Sequence, residues 1–471
     1  MLPDDIVFAP VRRQAELIQA KKLSPVELTD AYLDRLDKFG PKLGAVVTIT
    51  AELAKKEAKA AADEIAAGRY RGLLHGIPYG VKDLIATKGI PTTWGAEPYR
   101  NQVFDYDATV VTKLQQAGAI LVAKLAMVEL AGGFGYGNAD ASFTGPGRTP
   151  WNLDYWSGGS SSGSGAAVAA GLVSFAIGSE TSGSIITPAA YCGVSGLRPT
   201  YGRVSRHGAM ALCWSLDKLG PLARSADCCG LALQAIAGRD ENDPTSITKK
   251  LQYPEPWKEG FKPKIGVLKD AAKGMQKEVK KNFEESLKVL AKFADLVENV
   301  ELPNLPFGQV VGTIVSAEGA SAFRELIESG RSKELRAQND KSGGYSGMLI
   351  PAVDYLHAMR LRGPMKREMA KLYSQFDAIV APSRGTVANP IAIDFSKSYP
   401  GVGGNSTIIS AGNAVGQPGI SIPNGLGENG MPTGIQFTGS AWSESRILAL
   451  AVQYQRATDF HTKRPPFPKM G

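Results

Sequence analysis

The stretch 157–203, SGGSSSGSGAAVAAGLVSFAIGSETSGSIITPAAYCGVSGLRPTYGR, constrains the fold more than any other part of the chain. Two serine and glycine clusters, Gly158 to Ser164 and Ser179 to Ser184, bracket an Ala/Val/Leu run from Ala166 to Ile177. A flexible Gly/Ser spacer has no such run beside it, because linkers remain solvated. The stretch therefore reads as two tight turns against buried structure. Glycine permits positive φ and close backbone approach at such turns. An isolated Ser-Ser-Ser would merely cap a helix or fill a turn, and Ser161, Ser162 and Ser164 keep that structural reading.

Other segments recur with this stretch at a characteristic spacing. Gly158-Gly159-Ser160-Ser161-Ser162-Gly163 is followed by Gly178-Ser179-Glu180-Thr181-Ser182-Gly183-Ser184-Ile185, then Pro188, then Cys192 to Thr200. Ser160 and Ser184 lie 24 positions apart. Upstream is Gly76-Ile77-Pro78-Tyr79-Gly80-Val81-Lys82-Asp83, and between them Lys124 to Glu129 and Pro150-Trp151-Asn152. Downstream are Ser215-Leu216-Asp217 and Gly220-Pro221-Leu222. Together these resemble the amidase signature family of serine hydrolases, from about Ala15 to about Arg456. Two positions depart from the family pattern: Thr149 replaces an Asn, and Ile186 replaces the Arg that follows Ser-Ile in many members.

The resemblance implies a catalytic set of Lys82, Ser160 and Ser184. Ser184 would be the nucleophile, Ser160 a bridging serine after a cis peptide from Gly159, and Lys82 a neutral-amine base. The N–H groups of Thr181, Ser182, Gly183 and Ser184 would form the oxyanion hole. This fits what amide hydrolysis needs: a nucleophile, a base that turns acid, and an oxyanion site. Lysine serves as a base only if its pKa falls, and the apolar Ile77, Val81 and Leu84 around Lys82 predict the burial that lowers it. A lysine is otherwise a solvated surface residue.

Substrate expectations rest on composition near these segments. Met127, Gly133, Phe134, Tyr136 and Trp214 are the candidate substrate-binding residues, and Trp156 and Met210 add apolar surface. Replacing Arg by Ile186 removes a bidentate carboxylate partner, unless that Arg only braces Glu180. The substrate is therefore expected to be a neutral, bulky or aromatic small-molecule amide, with esters or carbamates accepted as well. An alternative is the glutaminase subunit of a tRNA-dependent amidotransferase, which shares the signature. Against it, Tyr345 to Ile350 stands where that subunit has an Arg-Arg-Ile-Leu-Leu-Gly-like segment. A phosphate-cradling Gly-rich loop is a third reading, but neither GxxxxGK[ST] nor GxGxxG spacing occurs.

The rest of the chain narrows the class. No run reaches 18 apolar residues, so no membrane span is expected, and the acidic start MLPDDIVFAPVRRQ is no secretory signal. A cytoplasmic protein is expected. Cys192, Cys213, Cys228 and Cys229 show no CxxC spacing and read as core thiols. His75, His207, His357 and His461 form no ligand motif, so neither metal nor cofactor is expected. The net charge of +8 is spread through helices that also carry Glu and Asp, which argues against a nucleic-acid partner. The oligomeric state stays open, with a homodimer among the options.

Strands alternating with helices call for an α/β fold. The resemblance sharpens this to a single α/β/α domain over 1–471, with a large mixed, twisted sheet covered on both faces. Its parts are a helical segment at about 9–68, a signature core at about 74–237, a peripheral segment at about 240–375 and a C-terminal core at about 376–458. Ser24-Pro25 with Glu27 predicts a capped helix start. Residues 131–156 read as a long loop, the glycines around Pro78 argue against a long regular element at 74–82, and the polar stretch Asp340 to Ser346 reads as a break between helices.

Overall fold

The computed structural model describes residues 2–467 apart from 256, 258–259 and 404–406. The strands among them, in chain order, are β1 (Val46–Ile49), β2 (Pro78–Lys82), β3 (Ile120–Leu125), β4 (Arg148–Thr149), β5 (Asn152–Trp156), β6 (Phe175–Glu180), β7 (Ser195–Arg198), β8 (Lys218–Ala223), β9 (Lys264–Leu268), β10 (Asp295–Val300), β11 (Ala378–Pro382), β12 (Gly419–Leu426) and β13 (Pro432–Thr438). Eleven of them form one mixed sheet in the order β1-β3-β2-β6-β8-β7-β12-β13-β11-β9-β10, and β4 and β5 pair separately. β3, β2 and β6 run parallel, the middle of the sheet is antiparallel, and β11, β9 and β10 are parallel again. The expected α/β architecture is thus formed.

Alternation along the strands explains why both faces are covered. Leu121 joins the core on one face, while its neighbours Ile120 and Val122 join the core on the other. Phe175 and Ile177 separate from Ala176 in the same way. Side chains alternate across a strand, so a strand buried on both faces must be apolar at successive positions. Helices Pro25–Leu43, Ala51–Ala66 and Ser162–Ala169 pack on one face. Val11–Gln19, Thr109–Gln116 and Ala226–Ile236 pack on the other. The Pro25–Leu43 helix starts as its sequence predicts: Ser24 Oγ accepts from Val26 N and Glu27 accepts from Ser24 N, at 3.2 and 3.0 Å.

Three local expectations are corrected. The segment before Lys82 ends in a five-residue strand, β2, set between two parallel neighbours. Pro78 is tolerated there because it is the first residue of the strand. The loop 131–156 closes with the β4–β5 hairpin. The polar stretch at 340 is a helix, Asp340–Met348, rather than a break. Its glycines allow close packing: a Cβ on Gly347 would lie 2.5 Å from the Ser316 carbonyl oxygen of helix Phe307–Ala322.

The Ser162–Ala169 helix is buried at all eight positions. A Cβ on Gly163 would meet the Ala45 carbonyl oxygen at 2.3 Å and Ala126 N at 2.5 Å. Only glycine lets this helix start so close to β3, and that contact holds Ser160 and Ser161 at the carboxyl ends of the parallel strands.

Candidate active site

Lys82 is the last residue of β2, where three parallel strands end. The carboxyl ends of parallel strands are the usual site of ligand crevices in α/β sheets. Its side chain is fully buried. Nζ donates to Ser160 Oγ at 2.6 Å and to Ser179 Oγ at 2.9 Å. Burial lowers its pKa to about 7, with the negative charges of Asp217 and Glu180 opposing the fall. The adjacent Asp83 does not serve it. That carboxylate lies 3.2 Å from the buried Lys124 Nζ and accepts from Thr93 N and Oγ1.

Ser160 follows the Gly159–Ser160 cis peptide. Ser161 ties the two serine clusters together: its Oγ donates to Ser179 O at 3.2 Å and its N–H donates to Ser184 O at 3.3 Å. Ser161 thus has the structural role read for it. The Ser184 hydroxyl makes no hydrogen bond among the described residues, and the backbone contact to its carbonyl comes from Ser161.

The turn 181–184 is held from below by carboxylates. Glu180, fully buried, accepts from Ile185 N and Ile186 N through Oε2, at 2.9 and 3.0 Å. Its Oε1 accepts from Arg198 Nη1 and Asn413 Nδ2, both at 2.9 Å. Its pKa falls to about 2: burial pushes it up, and the Arg198 and Lys218 charges with these hydrogen bonds outweigh that. Asp217 accepts from Thr181 Oγ1 at 2.6 Å and from Leu212 N and Cys213 N. Lys218, also buried, donates to the Thr181 and Leu216 carbonyls, and burial brings it to about 7. Gly183 has φ +89°, which side-chain-bearing residues rarely adopt. The N–H groups of Thr181 through Ser184 are donors with no acceptor among the described residues. A row of such donors can receive an oxyanion.

Ile186 is corrected on one point. Its side chain is fully buried, it does not line the cavity at Ser184, and Glu180 takes its N–H. Arg198 is the guanidinium that pairs with Glu180.

Ser184, 9% exposed, opens on a cavity of about 550 Å³. Of the five expected substrate residues, Tyr136 lines it. Met127 is fully buried in the core beneath Gly95. Gly133 is buried and packs toward Leu212 and Phe323. Phe134 stands edge-on to Phe323 at 5.7 Å. Trp214 lines a second cavity of about 420 Å³ that shares Ala131, Thr181 and Leu212 with the first. Met127, Gly133 and Phe134 thus pack inward, while Trp214 faces the adjoining cavity. Much of the remaining wall comes from residues that no matched segment marked, among them Tyr191, Arg384, Thr386, Asn389, Phe395 and Tyr399. Five of them lie about 200 residues beyond Ser184, and only the pairing of β11 into the sheet brings them back. Among the described residues no group of three His, Cys, Asp or Glu side chains is placed as metal ligands would be, and no helix is long and apolar enough to cross a membrane.

Comparison with known proteins places this geometry in a lineage. The amidase family model matches residues 27–448. A glutamyl-tRNA(Gln) amidotransferase subunit of Acinetobacter baumannii is 36% identical over 493 residues, covering 98% of each chain. The native peptide amidase of Stenotrophomonas maltophilia superposes with a TM-score of 0.82 at 32% identity, over 98% of this chain and 99% of that one. A structure from work on a vestigial protein complex and the origins of an s-triazine catabolic enzyme gives 0.88 at 29% identity, over 96% and 98%. With its signature segments gathered at one end of an eleven-stranded mixed sheet, this chain belongs to the amidase signature family of amide-hydrolysing enzymes.

Proposed function

We propose that the chain hydrolyses linear amides of small molecules through an acyl-enzyme on Ser184. The observation that carries this is Lys82, buried, shifted to about 7 and 2.6 Å from Ser160 Oγ. A neutral amine has two N–H bonds and one lone pair. In the neutral amine one N–H stays on Ser179 Oγ and the 2.6 Å contact to Ser160 reverses, the Ser160 hydroxyl donating to the Nζ lone pair. Ser184 Oγ attacks the carbonyl carbon while its proton passes to Ser160, and the Ser160 proton passes to Lys82. The oxyanion meets the N–H groups of residues 181–184. Collapse breaks the C–N bond, and the relay returns the proton to the leaving amine. Water then attacks the acyl-enzyme by the same route. Active-site contacts of this kind often tighten only once substrate binds, which fits the open Ser160–Ser184 pair.

Tyr136, Trp156 and Phe395 give the cavity aromatic walls, which supports a bulky or aromatic substrate; the acyl-enzyme chemistry would serve esters and carbamates as well. A second reading is the glutaminase subunit, and the 36% identity to a glutamyl-tRNA(Gln) amidotransferase subunit over 98% of the chain favours it. A fluorophosphonate should label Ser184 alone, and Ser184→Ala should lose both label and activity; labelling of another serine overturns the assignment. Comparing kcat/KM for benzamide or hexananilide with that for glutamine separates the two readings. Faster glutamine turnover, or co-purification with a second subunit, selects the glutaminase.

A further inference from the structure

A third cavity, of about 850 Å³, lies where helix Ala352–Tyr373 meets the start of β9, and it shares no lining residue with the cavity at Ser184. Its described lining holds four cations, Lys264, Arg362, Lys366 and Arg446, against one acid, Asp377. That acid is already used: Arg446 Nη1 lies 2.9 Å from its Oδ1, and Lys264 N donates to its Oδ2 at 2.8 Å. Among the described residues the side chains of Lys264, Arg362 and Lys366 have no ion-pair partner. Arg362 is 8% exposed and gives Nε and Nη2 to the neutral Ala414 and Ser215 carbonyls. Glu318 faces it from helix Phe307–Ala322, but accepts from Ser215 N and Oγ and from Tyr355 Oη instead. Lys366 lies one turn further along the same helix as Arg362, and partial burial, then the Arg362 charge, lower its pKa. Lys264 and Lys366 are both exposed, so a ligand in the cavity can reach them.

A lone surface lysine is solvated and needs no partner. Like charges gathered on the walls of one concavity repel, and the low-dielectric wall strengthens both that repulsion and the attraction for an anion. The volume is that of a small-molecule site, and its concave shape suits a compact anion rather than an extended strand. One carboxylate would cancel one of the three unpaired charges. A phosphate group carries close to two and offers three acceptor oxygens, one for each cation. We infer that this cavity binds a phosphate dianion, free or as the monoester of a small molecule, between Lys264, Arg362 and Lys366. The site stands apart from the amide chemistry and holds whichever substrate Ser184 takes.

The test is calorimetry on the unaltered chain in a chloride buffer of fixed ionic strength, with inorganic phosphate and ribose 5-phosphate as ligands and succinate and ribose as controls. At least one phosphate ligand is expected to saturate a single site about 10-fold or more tighter than succinate, the margin of one further charge-assisted contact. Ribose should give no binding heat, and the tighter of the two phosphates tells the free ion from the ester. Lys264→Gln and Lys366→Gln should each weaken binding about 10-fold or more, while Lys366→Arg keeps most of it. Both Gln variants should be labelled at Ser184 by a fluorophosphonate at the parental rate, which shows that the fold is intact. No saturable binding of either phosphate, succinate binding as tightly as both, or an affinity unchanged by both Gln substitutions overturns the inference. Binding of a single-stranded RNA oligonucleotide with neither phosphate bound overturns it too.

Discussion

Lys82 should make the reactivity of Ser184 and the stability of the fold both rise with pH, in adjoining windows. A lysine lowered from 10.5 to about 7 is about half neutral at pH 7, against about 1 in 3,000 for a free side chain. The rate of Ser184 phosphonylation by a fluorophosphonate should therefore rise tenfold per pH unit below about 7 and level off above it. This assay needs no knowledge of the substrate. The same shift has a thermodynamic cost. Between about pH 7 and 10.5 the unfolded chain keeps a proton that the folded chain has released, so stability rises with pH across that window. Below pH 7 the full penalty is present, about 5 kcal/mol at 1.36 kcal/mol per pH unit. Lys82→Met removes it and forfeits two hydrogen bonds, to Ser160 and Ser179, at about 1 kcal/mol each. The variant should lose reactivity by several orders of magnitude yet be about 3 kcal/mol more stable at pH 7, with the advantage shrinking toward pH 10. Chemical denaturation at pH 7 and 9.5 measures this. A labelling rate that rises only above pH 9, or an advantage that does not change with pH, refutes the buried neutral amine.

Arg198→Met should destabilise by about 3–5 kcal/mol in chemical denaturation, since it strands the buried Glu180 without its guanidinium partner. Thr181→Val deletes the hydroxyl that Asp217 accepts at 2.6 Å; kcat should fall about tenfold or more with KM little changed, because the turn offered to the oxyanion is loosened rather than the cavity. Activity should be unaffected by EDTA, as the Lys82 scheme draws on no metal; loss on chelation with recovery on zinc addition would contradict it.

Much of the site was legible because its chemistry is local in sequence. The Gly-Gly-Ser-Ser-Ser and Thr-Ser-Gly-Ser turns, and the Gly-Ile-Pro lead-in to Lys82, each place a reactive group within a few residues of the backbone that shapes it. The Ser24-Pro25 and Glu27 pattern likewise marked the start of the Pro25–Leu43 helix. The helix Asp340–Met348 was hidden because its glycines weaken local propensity, and only close packing against Phe307–Ala322 compensates. Ser179 was hidden inside a motif, its hydroxyl gaining a role only when β6 lies beside β2.

The sequence by itself determined the family, the α/β class, the two serine turns and the buried lysine, since these depend on short-range turns and on burial that neighbouring residues announce. The tertiary structure alone decided which residues line the cavity at Ser184. Met127, Gly133 and Phe134 lie off that lining and Trp214 lines the adjoining cavity, whereas Arg384, Asn389 and Phe395 arrive from a distant segment. A pocket wall is set by which strands become neighbours in the sheet, and β11 reaches its place through long-range pairing with β9 and β13. No local pattern records that pairing, because it is fixed by the packing of the whole core.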